Sequence, residues 1–447
     1  MPNRIFLACL FLLVIFSCLT YGGVTPLYSM IINVAALSLS CCWLITAISK
    51  KETYFVKTGL AIPVSLFSLI ILLQLTPIPA GVLKIFSYNM YRIYIMAFPE
   101  AGEGLLLPLS VNPDSTIQEL LNYVVLIVLF FMTINIVDTK KEFNFLFNGI
   151  IFFGLAISIF GIIQKYSYSY KVYWFDSPQT ATSPFGPFVY RNNFAGYINM
   201  IIPLAIGYFF LDMPLSKRLI YGFCIGIMAL ALFLTFSRAG IAVFLICILL
   251  LLALARFKIK TDVKIFNLVS AILLALISVL FLFFVDYKAL FMRITTIFSD
   301  QAFIIFGHGY SWKDIVKIWA DFPVFGTGLG TFGSISSMYK TTFSQKLFTY
   351  AHNDFLQLLS EVGIVGCALI IIFFLKYFLT VIKLWLSRRD PFVIYIVMGG
   401  MVSVAGVLVY SLLDFNLHIP ANSVLFSVLL GLVYRLTISK FHNEYSK

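Results

Sequence analysis

Long apolar runs broken by short charged segments recur along the whole chain. They predict twelve helices, over roughly 5–21, 26–49, 58–76, 117–137, 143–163, 194–211, 219–235, 240–255, 265–285, 360–382, 391–413 and 421–438. A helix needs roughly 20 apolar residues to cross a bilayer core, and runs such as 265–285 and 393–413 reach that length. One such run could be an anchor, but a dozen predict an all-α integral membrane protein, read here as one polytopic domain over 1–447. The first run has Arg4 ahead of an apolar core, like a signal peptide, but lacks an Ala-x-Ala-like exit and is taken as a retained span.

Charge gives the layout a direction. With twelve spans both termini share one face, whose segments total 50 residues yet carry 17 Lys or Arg, among them Lys50, Lys51, Lys140, Lys141, Lys217, Arg218, Arg256 and Arg388. The other face totals 159 residues with 12 Lys or Arg, mostly in loops 77–116, 164–193 and 286–359. Positive residues mark the cytoplasmic side, so the working surface faces outward. Cytoplasmic loops of five to nine residues leave no room for a nucleotide-binding domain. The composition agrees with a lipid solvent: 61% hydrophobic and 11% charged, where soluble domains are about a quarter charged. The net charge of +12 is spread over loops, and no nucleic-acid partner is expected. All seven Cys lie in apolar runs, which predicts buried thiols and no disulfides.

The largest outer loop, 286–359, falls between the ninth and tenth spans. Near 310–322, Trp312, Ile315, Trp319 and Phe322 recur at helical spacing, with Lys313, Asp314, Lys317 and Asp321 largely off that stripe. Such a helix would lie on the membrane-water boundary or pack on the rest of the loop. Farther on, Gly326, Gly328 and Gly330 superficially match a dinucleotide loop, but no strand precedes them and no βαβ unit could form there. What survives is a turn that lets backbone approach a neighbouring loop or ligand closely.

Three outward positions could carry chemistry. Arg191, in Tyr-Arg-Asn-Asn-Phe-Ala with Asn192 and Asn193 beside it, stands where a polar loop enters an apolar span. A guanidinium at that depth needs an anion or a wet cavity, although a snorkelling helix anchor explains it equally well. Arg238, in Ser-Arg-Ala-Gly with Ser237 and Gly240, occupies a hairpin of about four residues between two spans. Two planar guanidinium forks on one face would suit a diphosphate. His352, in Ala-His-Asn-Asp-Phe-Leu with Asn353, Asp354 and later Glu361, has a side chain able to exchange a proton near neutral pH. A structural His capping the helix is the plainer reading. On a helix begun at 352, Asp354 and Glu361 would point away from His352, which leaves Asp414 as the candidate orienting carboxylate. His308, His418 and His442 are scattered. No His-x-x-x-His, Cys-x-x-Cys or Asp-x-Asp pattern occurs, so neither metal nor cofactor is expected.

Taken together, Tyr-Arg-Asn-Asn-Phe-Ala with Pro203, Ser-Arg-Ala-Gly, Phe-Pro-Val-Phe-Gly-Thr-Gly-Leu-Gly, the His-Asn-Asp segment with its trailing Glu-x-Gly-x-x-Gly, and the closing Asp414-Phe-Asn-Leu-His-Ile-Pro420 resemble the O-antigen ligase and polymerase superfamily of bacterial envelope enzymes. The resemblance runs from about 180 to 420. It implies a GT-C-like membrane glycosyltransferase of the inner membrane with its active site facing the periplasm. The donor would be a glycan on undecaprenyl diphosphate, moved with inversion and without a metal to an acceptor hydroxyl such as that of lipid A-core. Arg191 and Arg238 would hold the diphosphate and His352 would be the base, with Asn192, Asn193, Ser237, Asn353, Asp354, Glu361 and Asp414 in support. Relatives often carry Arg before the Trp of the loop helix, where this chain has Ser311, with His308 or Arg293 as possible substitutes.

The long loop before His352 favours a ligase over a polymerase or a protein O-oligosaccharyltransferase. A small-solute transporter of bicarbonate type, as some relatives have been labelled, should show broken helices in repeated halves, and neither is visible. A membrane scaffold would leave the two arginines and the histidine unexplained.

Overall fold

The computed structural model describes residues 2–49, 55–98, 105–167, 171–174, 183–258, 312–341 and 349–441. The expected ninth span at 265–285, together with Lys50, Lys51, Arg293, His308, Ser311 and His442, lies outside these residues.

Each expected span that falls on described residues is helical. The helices are α1 (Pro2–Leu19), α2 (Pro26–Ser49), α3 (Ala61–Leu75), α6 (Pro113–Ile136), α7 (Lys140–Tyr166), α8 (Arg191–Phe209), α9 (Leu215–Leu234), α10 (Arg238–Lys258), α12 (Asp354–Ser387), α13 (Pro391–Tyr410) and α14 (Pro420–Ile438), with α4 (Ala80–Phe86), α5 (Tyr88–Ala97) and α11 (Trp312–Asp321) in the outer loops. Eight of the described helices are long and apolar enough to cross a membrane, and α1 and α3 are shorter apolar helices. Ends are set by local chemistry: Thr139 and Glu142 form a capping box at the start of α7, and Asn112 caps α6 ahead of Pro113.

Burial sorts the helices. Helix α14 is buried almost throughout, and α8 buries nearly every side chain from Asn193 to Tyr208. Peripheral helices turn Leu12, Leu27, Leu69, Phe223, Leu249 and Leu379 outward, which carries no penalty in lipid. Small residues let the central helices touch backbone to backbone. A Cβ on Gly207 would stand 2.6 Å from the Tyr395 carbonyl oxygen, and one on Gly399 would stand 2.4 Å from that of Pro203.

The two ends of the bundle differ. At one end Lys140 pairs with Asp390 at 2.7 Å and Arg435 with Asp138 at 2.6 Å, while Arg388 donates to the Thr437 carbonyl. The other end carries Arg191, Arg238 and His352.

The described residues of loop 77–116 carry secondary structure of their own. A two-residue strand β1 (Ile78–Pro79) pairs antiparallel with β2 (Leu106–Leu107), and α4 and α5 lie between them. Together they form a small outer core, Leu83, Met90 and Leu107 packing on Ile315, Ile318 and Phe322. This core decides how α11 sits. Trp312, expected on the buried stripe, is 44% exposed, and Ile318 is buried in its place. The polar face is also not wholly outward, because Asp314 is buried and accepts from Thr341 Oγ1 at 2.8 Å.

Candidate functional site

A chain of hydrogen bonds crosses four segments at the outer end of the bundle. Helix α10 begins at Arg238, and Ser237 just before it accepts from the Gly240 amide at 3.2 Å, so Ser237 caps the helix that presents Arg238. Ser237 Oγ also meets the Tyr410 hydroxyl at 3.2 Å, and Tyr410 donates to the Asn192 carbonyl at 3.0 Å. Asn192 Nδ2 in turn donates to Asp414 Oδ2 at 2.7 Å, and Asp414 Oδ1 stands 2.9 Å from His352 Nδ1. Thus the turn bearing Arg238, the start of α8 bearing Arg191, and the His352 loop are joined through Tyr410 and Asp414. Closer to the core, Asn199 Nδ2 donates to the Gly240 carbonyl at 2.9 Å, and a Cβ on Gly240 would meet Ala195 at 2.6 Å. Only glycine allows α10 to start that close to α8.

Arg191 is the first residue of α8, and its amide donates to the Ser183 carbonyl at 2.8 Å. The loop before it is pinned by Phe185 and Phe188 against Phe194, with Gly186 at φ 57 making the turn. The arginine side chain is left exposed at the mouth, as is that of Arg238.

His352 lies outside the helix that follows it. Asn353 caps α12 by accepting from the Leu356 amide at 3.0 Å, and His352 has φ 51, a left-handed conformation costly for a residue with a Cβ. The helical angles expected from 352 therefore do not apply. That backbone turns the imidazole onto Asp414, which is 1% exposed and also accepts from the Phe415 amide at 3.0 Å. A carboxylate that only accepts favours the neutral imidazole tautomer with the proton on Nδ1 and the lone pair on Nε2.

The other expected residues take supporting places. Asn353 Nδ2 donates to the Leu412 carbonyl, and the Asp354 amide donates to that of Ser411, clipping the start of α12 to the end of α13. The Asn193 carbonyl accepts from Asn422 Nδ2 at 3.1 Å. Asn193 Oδ1, Asn416 Nδ2 and Asn422 Oδ1 are buried with no hydrogen-bond partner, a concentration of unmet polar groups that helix packing alone does not require.

Glu361 has a different setting. Its carboxylate accepts from the Gly330 amide at 2.8 Å, the Phe332 amide at 3.1 Å and Gln357 Nε2 at 3.1 Å. Gly326, Gly328 and Gly330, at φ 70, 110 and 76, make the loop that supplies two of these donors. Facing it, Gly363 breaks α12 at φ 62, where a Cβ would stand 2.2 Å from the Val324 carbonyl oxygen. The glycine-rich turn is thus an anion nest that holds the protein's own carboxylate.

Three groups escaped the sequence reading. Tyr410 is one helical turn before Asp414, and that spacing was the available signal. Lys165, on α7, has its ammonium 4.0 Å from the centre of the Phe236 ring and within electrostatic range of Arg191. His418 lies between α13 and α14, with Nε2 3.4 Å from Asp354 and Nδ1 3.8 Å from Glu119. Its ring stacks on Tyr350 at 4.8 Å, and Tyr350 stacks on Phe415 at 4.9 Å, so His418 braces the loop that carries His352.

Burial pulls the His418 pKa down, but the neighbouring carboxylates of Glu119, Asp354 and Glu361 overturn that and raise it to about 9. A raised folded-state pKa stabilises the fold fully below the unfolded value and loses that stabilisation as pH rises toward 9. Thermal stability of the purified protein is therefore expected to fall between about pH 6.5 and 9, at a slope near 1.4 kcal/mol per pH unit. His418→Gln should flatten that slope, and an equal slope in the variant would assign it elsewhere.

Among the described residues no group of three His, Cys, Asp or Glu side chains could hold a metal ion. No curated protein matches the chain. The family model described as O-antigen ligase matches residues 223–371, about a third of the chain, which takes in Arg238, the glycine-rich turn, His352 and Glu361. That match, added to the motifs and the helical bundle, supports a multi-pass membrane protein similar to the O-antigen ligase and polymerase superfamily.

Proposed function

We propose that this protein moves a glycan from undecaprenyl diphosphate to a sugar hydroxyl of an acceptor such as lipid A-core, at the periplasmic face of the inner membrane. The observation that carries the reading is the hydrogen-bonded path from Ser237 through Tyr410, Asn192 and Asp414 to His352, which ties both arginine-bearing segments to one imidazole.

In this reaction Nε2 of His352 takes the proton of the acceptor hydroxyl as its oxygen attacks the anomeric carbon. The bond from that carbon to the donor phosphate breaks on the opposite face, which inverts the configuration, and the electron pair stays with the diphosphate. Arg191 and Arg238 meet that charge with fixed bidentate donors, the part a metal plays elsewhere. Asp414 holds the imidazole in orientation and stabilises the imidazolium that forms. The lipid tail also needs a place. An apolar cleft between α3, α6, α12 and α14, lined by Val64, Tyr123, Phe130, Phe373 and Phe426, supplies a lipid-facing wall, and Tyr123 is one turn of α6 below Glu119.

Purified protein incubated with undecaprenyl diphosphate glycan and either lipid A-core, a second lipid-linked glycan or a protein acceptor tests the proposal. Transfer to lipid A-core alone is expected, and no transfer to any acceptor would overturn it. Arg191→Lys and Arg238→Lys keep the charge and lose the fork, so each should cut kcat/KM roughly 10-fold or more with normal folded yield. Near-normal turnover in both variants would discard the diphosphate clamp. EDTA should leave the rate unchanged, and a chelated enzyme revived by added Mg²⁺ would contradict the metal-independent reaction.

A further inference from the structure

Lys165 is a cation at the outer end of α7 that the mechanism above does not use. Its ammonium reaches across to the α9–α10 turn, where it donates to the Leu234 carbonyl and lies 4.0 Å from the centre of the Phe236 ring. Leu234 ends α9, and a Lys at a helix C-terminus has an ordinary structural explanation. Two further observations exceed it. Lys165 lies within electrostatic range of Arg191, a like charge at the start of α8. The turn it touches runs directly into Ser237 and Arg238, and Phe236 within that turn is held at φ 52 with its ring 43% exposed. A half-buried cation within electrostatic range of a second one, and held against the turn that delivers a third, favours an anion among them.

The charge change of the reaction says when a third cation is needed. A sugar joined through diphosphate to a lipid is a diester carrying about two negative charges, which two arginines balance. When the sugar-phosphate bond breaks, the lipid keeps a terminal phosphate and a third negative charge grows on it, while the acceptor's proton passes to His352. A third cation at the turn that carries Arg238 is surplus to the bound donor and matched to the leaving group. We propose that Lys165 is a leaving-group residue of the donor site, acting on the charge that grows in the transition state; the proposal rests on the diphosphate reading of Arg191 and Arg238. An interaction that strengthens only as the bond breaks raises kcat and leaves KM nearly unchanged.

Lys165→Gln tests this, because the amide can still donate to the Leu234 carbonyl while the charge is removed. Steady-state transfer is expected to show kcat lowered roughly 10- to 100-fold with KM changed less than about 3-fold, and Lys165→Arg is expected to restore most of kcat. Inhibition by farnesyl diphosphate, a product-like monoester, should weaken in Lys165→Gln. Unchanged kcat in Lys165→Gln alongside an impaired Arg191→Lys would overturn the role of Lys165 and leave the diphosphate site standing. Normal kinetics in both would overturn both. A raised KM at constant kcat would make Lys165 a ground-state contact and overturn the proposal, as would a folded Lys165→Arg protein as slow as Lys165→Gln. Should Lys165→Gln not fold, the kcat of Lys165→Arg and its inhibition by farnesyl diphosphate carry the test.

Discussion

Replacing His352 by Ala is expected to lower kcat by about 10² to 10⁴ while donor binding persists, since a positioned base contributes that much and the arginines stand on other segments. The backbone complicates that variant. His352 is held at φ 51, where a Cβ-bearing residue is strained and Asn is tolerated better than Ala. His352→Asn is therefore the cleaner test: its amide can still donate to Asp414, but it cannot take a proton at neutral pH. Both variants should bind a lipid diphosphate as the wild type does and transfer little. Asp414→Asn should also lower kcat steeply, because its amide can donate to Nδ1 and place the imidazole proton on Nε2, and because the charge that steadies the imidazolium is lost. Full transfer by a folded His352→Asn protein would end the assignment of His352 as base.

Much of this fold could be read from hydropathy because a bilayer imposes one rule on every span, namely some 20 apolar residues in a helix. The rule weakens where lipid ends. Loop 77–116 reads only as a connection between spans, yet Leu83, Met90 and Leu107 build a small core with α11, and that core, rather than the spacing of Trp312 and Trp319, selects the buried face. The residues proposed for the site stand out where chemistry makes a residue type costly, as with Arg191 and Arg238 at span ends. Their connection was not. Tyr410 is a common residue in an apolar helix, and only the crossing of α8, α10 and α13 brings its hydroxyl between Ser237 and Asn192. His352 was legible as an isolated imidazole, whereas its distance to Asp414 depends on a left-handed residue that no helical wheel contains. His418 looked scattered because its partners, Glu119 and Asp354, come from segments far away in sequence.

The second large effect expected is on the fold rather than on the chemistry. Glu361 is 1% exposed, and three donors converge on its carboxylate, so Glu361→Ala would leave the Gly330 and Phe332 amides and Gln357 Nε2 without an acceptor. Removing one member of such a buried charged network typically costs about 3–5 kcal/mol. Glu361→Gln is close in shape but not in chemistry. With two backbone N–H groups meeting separate oxygens, its NH₂ must face one donor with another, so it too should destabilise. Gly326→Ala attacks the same contact from the other side. At φ 70 its Cβ would stand 2.3 Å from the Glu361 carbonyl, which neither the turn nor the broken helix can yield without separating. All three should unfold at lower temperature in detergent and lose donor binding together with activity, because the loop and the first turns of α12 carry His352 into place. That pattern is opposite to the one expected of His352→Asn, which keeps binding and loses transfer. A Glu361→Gln protein with wild-type stability and a specific loss of kcat would instead move Glu361 from the frame of the site into its chemistry.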